Sequence, residues 1–592
     1  MREKLPCIFR INTANPYWLE FRKILTSPDI VRSFLNGEDF GIQITPKNLT
    51  NLPEWHNLIY NINIPRFELR KNESLTKFHK FIQKSVDAGL ISRQEAVSMI
   101  PPMLMDVHPG DKVFDMCAAP GSKTAQFLES FYRDFDFLDP SSLEKDSGFV
   151  LANDNNFDRA HMMCHQLKRL NTAGMAVISH DAQFFPTIFS EQDERILFDK
   201  ILADVPCSSD AVMRKLPHKW RKWSPRESFA LHKLQLQIIK RGISLLKVGG
   251  RIVYSTCSLN PIENEAVVAE VMRQYGDSLE ILDMSSHFDG SDIKDRKGLL
   301  TWKVMVDDKT DNKNLLELTH PEGHNYKDIV EDSCFPPDLA TAEKFKLQNC
   351  IRLFPHDSDT SGFFITVFRK TASMSHGGDK GQRDKKVNSD KGIAFIKDHQ
   401  DVCDWLKDYF GFTEKFPFNQ LVTHSKISKR INFVSKGVAW LLESDKRNQL
   451  KLVNVGVKLF SFNKKKMLVE NEQYCKYRIC QDGLIYAIPF MTKRVFFTLE
   501  ETFVKLLKES EVKNEDLPDQ ELRKQLAGVK SGCVVLILVK EKPQCRFEEE
   551  KYILYLKENY IDSLCCYTSA VRVTSMVNKE HQHVFFQKFK IE

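Results

Sequence analysis

Two cysteines follow apolar runs that read as buried strands: Cys207 in Asp204-Val205-Pro206-Cys207-Ser208 and Cys257 in Ser255-Thr256-Cys257-Ser258. Upstream lies Asp115-Met116-Cys117-Ala118-Ala119-Pro120-Gly121-Ser122-Lys123, a strand-to-helix loop suited to a small polar cofactor. A thiolate can add to carbon 6 of a pyrimidine, so that charge develops at carbon 5 and that carbon attacks an electrophilic methyl group. A base must then take the carbon-5 proton and expel the thiol. The thiol has to ionise from an ordinary pKa of about 8.5, which nearby positive charge favours, and Lys123 is a candidate source. Asp204 could hydrogen-bond the exocyclic amino group or protonate the ring nitrogen. The target base must leave its stack to reach such a pocket. A lone cysteine is more often a small buried hydrophobe, which is the reading for Cys117, Cys164, Cys334 and Cys350. Strand-end placement sets Cys207 and Cys257 apart, without saying which of the two attacks.

The elements that must hold these groups lie between residues 93 and 270. Lys112–Met116, Phe149–Asp154, Met175–Ser179, Ile201–Asp204 and Arg251–Ser255 read as strands, with helices over Ser122–Phe131 and from Asp158 to about Leu170. A longer helix starts at Pro225, with Ser224 as N-cap and Glu227 completing a capping box, and Gly249-Gly250 is expected to stop it. Phe363–Phe368 is a last strand. Strands alternating with helices predict a parallel, doubly wound α/β sheet, with ligands at the carboxyl ends of its strands. Asp154, Asp181 and Asp204 each end a successive strand. The first suits ribose hydroxyls and the second an adenine amino group. Any one alone is an ordinary turn former, but the three in register, with the loop, point to an adenosine-containing cofactor.

The chain has 592 residues, 42% of them hydrophobic and 28% charged, enough for two to four globular domains. No apolar run reaches the roughly 18 to 20 residues of a membrane span, and the start has no apolar signal segment, so neither a membrane nor a secretory route is expected. The 14 cysteines show no C-x-x-C pair, against a zinc ribbon or disulfide framework and for a reducing compartment. No metal is expected. The net charge of +6 permits a polyanionic partner without demanding one. Residues 1–92 read as an α+β preamble, 93–370 as the catalytic domain, 371–392 as a polar linker and 393–592 as a mostly β module. Cations interleaved with indoles after Cys207, namely Arg214, Lys215, Lys219, Trp220, Arg221, Lys222 and Trp223, suit phosphates and unstacked bases. Lys464-Lys465-Lys466 reads as a solvated turn, and Lys385-Lys386 is too thin for a nuclear signal.

D-M-C-A-A-P-G-S-K-T (115–124), A-D-V-P-C-S (203–208) and Y-S-T-C-S-L-N-P-I-E-N-E (254–265) resemble the NSun (Nop/Sun-domain) RNA cytosine methyltransferases. S-R-Q-E-A-V-S-M-I-P-P (92–102) brings the chain nearest to the eukaryotic multisite tRNA subgroup, and R-L-F-P-H (352–356) and S-G-F-F (361–364) extend the likeness to about residue 370. The tail after 392 resembles that subgroup's PUA-like RNA-binding module. The resemblance implies a Rossmann-like core that binds S-adenosyl-L-methionine through Cys117, Ala118, Ala119, Pro120, Gly121, Ser122, Lys123, Asp154, Asp181 and Asp204. It implies tRNA as substrate, Cys257 as nucleophile and Cys207 as the residue that releases the methylated RNA. A monomer resident in the nucleus is expected, with nucleolus and cytoplasm as alternatives. The competing readings are an inactive RNA-binding relative and the same chemistry on ribosomal or messenger RNA. The chain departs from the family where glycine usually stands at Ser209 and Gly-Thr at Ala211-Val212, which could strain the turn and reshape the target pocket. Its start, inside the part that corresponds to the family's preamble, suggests that an upstream RNA-binding segment is absent.

Overall fold

The apolar runs become strands because each is too short for a helix, and four of the six are followed by an amphipathic helix that needs a sheet to cover. The strands are β1 (Lys112–Asp115), β2 (Phe149–Asn153), β3 (Met175–Ile178), β4 (Phe198–Asp204), β5 (Leu246–Thr256) and β6 (Phe363–Lys370). Three further strands matter below: β7 (Arg430–Phe433), β8 (Leu452–Val455) and β9 (Val457–Phe462). The computed structural model describes residues 5–27, 42–190, 192–308, 314–322, 325–373, 392–424, 429–445, 449–463, 475–543 and 549–588. Most of the linker and the run 464–466 lie outside these residues.

The central sheet has the order β6-β5-β4-β1-β2-β3-β8, continued past β6 by Ile351–Leu353 and Asp295–Lys297. β1 to β5 are mutually parallel, while β6 runs antiparallel to β5 and β8 antiparallel to β3. From β1 the chain winds outward through β2 and β3, then returns to place β4 and β5 on the other side. That reversal opens a crevice above the carboxyl ends of β1 and β4. α1 (Ser122–Tyr132), α2 (Phe157–Leu167), α3 (Pro225–Leu245) and α4 (Glu265–Tyr275) cover the faces. Phe114, Leu151, Ile201 and Ile252 are fully buried between them, each contributing on the order of 1.5–3 kcal/mol by leaving water.

Two local expectations fail at α3. Ser224 Oγ accepts from the Arg226 N–H, and Glu227 turns outward to pair with Lys219 at 3.1 Å, so no reciprocal capping box forms. The helix also ends at Leu245, before the glycines. The chain enters β5 directly, with Gly249 at φ +84° inside that strand's irregular start.

The amino-terminal unit is a four-stranded antiparallel sheet, Ile44–Pro46, Ile59–Pro65, Pro6–Ile11 and Ile91–Arg93 in spatial order. Buried Arg10 fastens it to α1 through Glu129, at 2.5 and 2.9 Å, and to Gln94 at 2.6 Å. After residue 392 the described residues form two five-stranded sheets. One contains β7 and β9. The strand between them in sequence, β8, leaves that sheet to extend the central one. Gly456, at φ +53°, makes the turn from β8 to β9, where a Cβ would lie 2.1 Å from the Phe433 carbonyl oxygen. No described helix is long and apolar enough to cross a membrane.

Candidate active site

Parallel pairing of β4 with β5 sets Asp204 opposite Ser255. The two chains therefore leave the sheet side by side, and the cysteines that follow them meet. Cys207 Sγ and Cys257 Sγ are 3.2 Å apart. Ser209 Oγ lies 3.3 Å from Cys257 Sγ and 3.9 Å from Cys207 Sγ. Hydrogen bonds with the Cys207 thiol and, less strongly, with the Ser209 hydroxyl, to which Cys257 Sγ donates, hold the Cys257 pKa below the ordinary thiol range. The bond to Cys257 drives the Cys207 thiol strongly the other way, with burial and Glu263 adding to it. Of the two, Cys257 is the sulfur whose surroundings favour ionisation, and Cys207 the one whose surroundings oppose it.

Glu263 holds this geometry, and the sequence reading gave it no role. Its buried carboxylate accepts from the Ser208 N–H at 2.8 Å and Ser208 Oγ at 2.5 Å. It also accepts from Ser258 Oγ at 2.8 Å, Ser228 Oγ at 2.9 Å and Gln235 Nε2 at 3.1 Å. Ser208 and Ser258 each follow one of the cysteines, so a single carboxylate clamps both loops. The only trace in the sequence is an acidic residue six positions after Cys257. Glu263→Gln turns an amide N–H₂ toward these donors. It is expected to cost about 1.5–3 kcal/mol and to lower activity, read by urea unfolding and methyl transfer in parallel.

Ser209 sits at φ +59°, ψ +30°, the left-handed region where a Cβ is strained. Ala211 is buried against Gly362, where an added Cβ would lie 2.9 Å from the Ala211 methyl, and its carbonyl accepts from the Gly362 N–H at 2.9 Å. The turn therefore forms without glycine at 209, and its hydroxyl reaches the nucleophile. In Ser209→Gly, relief of left-handed strain of about 1–2 kcal/mol is partly offset by glycine's unfolded-state freedom, about 0.4–1 kcal/mol. Stability is expected to hold or rise slightly. The Cys257 thiolate loses a donor, so the rising limb of the pH–rate profile should move to higher pH, and an unmoved limb would remove this role.

A cavity of 840 Å³ opens in front of Cys257. Its walls include Asp115, the stretch Cys117–Pro120, Ser122, Lys123, Asp204 and Cys257, with Arg214 and Lys215 at one side. Lys123 Nζ donates to Asp204 Oδ2 at 2.6 Å and Ser98 Oγ at 2.8 Å. Ser255 Oγ donates to Asp204 Oδ1 at 2.7 Å. Lys123 thus pairs first with Asp204, and its field at the Cys257 sulfur is a minor contribution. Asp115 is buried, accepts from Thr124 Oγ1 at 2.7 Å and leaves Oδ1 without a partner. Burial pushes its pKa up to about 7.

The loop after β1 suits the charged end of an adenosyl amino acid. Gly121, at φ +99°, caps α1 without a side chain, so the helix's first N–H groups and its positive end are left for a carboxylate. Beyond this loop Asp154 and Asp181 end the next two strands, outside the cavity wall. Asp154 Oδ1 accepts from the Asn156 N–H at 2.9 Å, and Oδ2 is 3.2 Å from Arg159. The Arg159 side chain is 52% exposed, so it can swing into solvent and free the carboxylate for a ribose. Asp181 accepts from the Gln183 side chain at 3.0 Å. The residues fit the cofactor, with the adenosyl half requiring these protein bonds to exchange.

The cations expected to contact RNA differ in their surroundings. Arg214 pairs with Asp359 at 2.7 Å and donates to the Thr360 carbonyl at 3.0 Å, and Lys219 pairs with Glu227 at 3.1 Å, so each of these cations already has an acidic partner. Lys215 lines the cavity, while Arg221, Lys222 and Trp223 are exposed. The Trp220 side chain lies outside the described residues. Cys164, Cys334 and Cys350 are buried as expected, but Cys117 is half-buried and part of the cavity wall.

Residues 102–369 match the family described as 16S rRNA methyltransferase RsmB/F, residues 393–492 the NSUN2 Pre-PUA domain and residues 493–587 the NSUN2 PUA domain. The multisite-specific tRNA:(cytosine-C(5))-methyltransferase of Saccharomyces cerevisiae is 33% identical over 580 residues, covering 91% of this chain and 80% of its own. The Schizosaccharomyces pombe enzyme trm4b of the same description is 32% identical, covering 90% and 85%. A solved methyltransferase homolog from Pyrococcus horikoshii is 23% identical, with a TM-score of 0.40 over 62% of this chain and 87% of its own.

Proposed function

Because the chain belongs to the multisite tRNA cytosine-C5-methyltransferase family, with Pre-PUA and PUA domains of the NSUN2 type after its catalytic domain, we propose the following mechanism. The chain methylates carbon 5 of cytosine in tRNA from S-adenosylmethionine, with Cys257 as nucleophile and Cys207 as the group that ends the covalent stage. The observation that carries this reading is the pair of thiols in contact at the head of β4 and β5, polarised so that the 257 sulfur ionises first.

The α1 N-terminus would hold the methionyl carboxylate of S-adenosylmethionine, and Asp154 and Asp181 would hold its ribose and adenine. When bound, the cofactor supplies an electrophilic methyl group. Cys257 thiolate adds to carbon 6 of a flipped-out cytosine, forming an S–C6 bond and moving the C5–C6 π pair onto carbon 5. Asp204, already oriented by Ser255 and Lys123, accepts from the cytosine amino group and holds the ring in the plane of attack. The Cys257 sulfur is then a neutral thioether, and the main cause of Cys207's reluctance to ionise is gone. Cys207 releases its proton to solvent and takes the proton from methylated carbon 5. That electron pair restores C5=C6, the S–C6 bond breaks and Cys257 leaves as thiolate. Each thiol ends in the state in which it began.

Incubation of the protein with tRNA and S-adenosylmethionine, followed by bisulfite sequencing, should show protected cytosines. A tRNA left unprotected, with ribosomal or messenger RNA protected instead, would replace the substrate while keeping the chemistry. Asp154→Asn is expected to weaken S-adenosylmethionine binding about 10- to 100-fold, the loss of a charged hydrogen-bond acceptor worth about 1.5–3 kcal/mol, as read by calorimetry.

A further inference from the structure

A second cavity, of 150 Å³, lies at the amino-terminal edge of β3, where β8 and β9 part to join different sheets. The catalytic cavity is at the carboxyl ends of the parallel strands, so the two sites open on opposite rims of the central sheet. The wall includes Lys168, Thr172, Arg430, Asn432, Asn454 and Lys458. Three of these carry a polar atom hidden from solvent and without a partner: Thr172 Oγ1, Asn432 Oδ1 and Asn454 Nδ2. The residues themselves are 3%, 3% and 9% exposed.

Two irregularities aim these groups. The β7–β9 pairing slips between Ile431 and Asn432, and the β3–β8 pairing slips between Leu452 and Asn454. A bulge of this kind redirects a side chain that regular pairing would turn elsewhere. Asn432 is oriented by its own amide, which donates to the Val455 carbonyl at 2.7 Å, leaving its oxygen toward the cavity. Buried polar atoms are rarely left unsatisfied without a ligand, ion or water to meet them. Above this floor Lys168 and Arg430 are exposed cations that form no ion pair among the described residues, while Lys458 faces Asp482 at 3.8 Å.

We propose that this junction is a phosphate-binding site, taking a phosphate group that has a hydroxyl on it or beside it. The anionic oxygens meet Lys168 and Arg430, the Thr172 hydroxyl and Asn454 amide donate to them, and the hydroxyl donates to Asn432 Oδ1. A ribonucleotide of a bound RNA and a free phosphate share this chemistry, and the cavity admits the phosphate end of either but not a whole nucleotide.

The full-length protein is titrated with inorganic phosphate and, separately, with tRNA. Wild type is compared with Lys168→Ala/Arg430→Ala and, for the floor, with Thr172→Val. The wild type should bind phosphate saturably, and each variant at least 10-fold more weakly, with thermal midpoint and S-adenosylmethionine affinity unchanged. An RNA phosphate as occupant adds competition between phosphate and tRNA, roughly 10-fold weaker tRNA binding by the double variant and a salt dependence shallower by about 2. Unchanged tRNA affinity with lost phosphate binding assigns the site to a free phosphate. Phosphate binding that survives the double variant, or no phosphate binding together with unchanged tRNA affinity, overturns the proposal and leaves a water-filled seam. These readouts need no methyl transfer, so they stand or fall apart from the catalytic reading.

Discussion

Cys257→Ala should leave methyl transfer at least about a thousandfold below wild type, the scale on which removal of a covalent nucleophile is felt. Carbon 5 of cytosine has little nucleophilicity until a thiolate adds to carbon 6, and of Cys207 and Cys257 only Cys257 is part of the cavity wall. Binding should survive, because the tRNA contacts and the cofactor loop do not depend on this sulfur. Cys257→Ser should fare no better, since a serine hydroxyl does not ionise beside the same partners. The measurement is tritium transfer from labelled S-adenosylmethionine, alongside a binding isotherm. Full turnover in either variant would unseat Cys257 and with it the proposed chemistry. In wild type the rate should rise with pH as Cys257 ionises, and level off below the ordinary thiol range because its hydrogen bonds with Cys207 and Ser209 lower its pKa.

Cys207→Ala has a different signature. Addition and methylation need only the 257 sulfur, so the variant should still form the S–C6 bond. The group placed to take the carbon-5 proton is gone, and the adduct should persist. A slow-migrating protein–RNA band on a denaturing gel, dependent on Cys257 and abolished in the double mutant, is the expected result. The variant also removes one of the two hydrogen-bond partners of Cys257, so adduct formation should need higher pH than turnover does in wild type. Rapid multiple turnover without an adduct would transfer the release step to another base or to water. Cys207 and Cys257 share one proton's worth of electrostatics, so their effects should not add, and the double mutant should resemble Cys257→Ala alone.

The elements around this chemistry were legible in advance where they rest on local periodicity. The strands at 112–116, 149–154 and 175–179 were expected within a residue or two, because continuous apolar runs bounded by turn residues have few other solutions. The end of α3 was misread: a glycine pair is an ordinary stop signal, but here the helix ends earlier and the glycines shape the entry to β5. Arg214, expected to meet phosphate, is paired in the structure with Asp359, a partner 145 residues away that no local pattern announces. Glu263 escaped for the same reason, since its importance comes from five donors on three separate segments.

Residue order alone determined that this chain builds an alternating α/β core with a phosphate- or carboxylate-seeking loop and two strand-end cysteines. It does so because side-chain periodicity and turn chemistry act over a few residues, where spacing along the chain is spacing in space. Which sulfur ionises was decided only in three dimensions. The β4–β5 register sets Cys207 against Cys257, and Glu263 clamps the loop behind each. The left-handed turn at Ser209 brings a hydroxyl to one sulfur. A thiol's acidity is set by what lies within a few ångströms, and those neighbours come from segments that folding alone brings together.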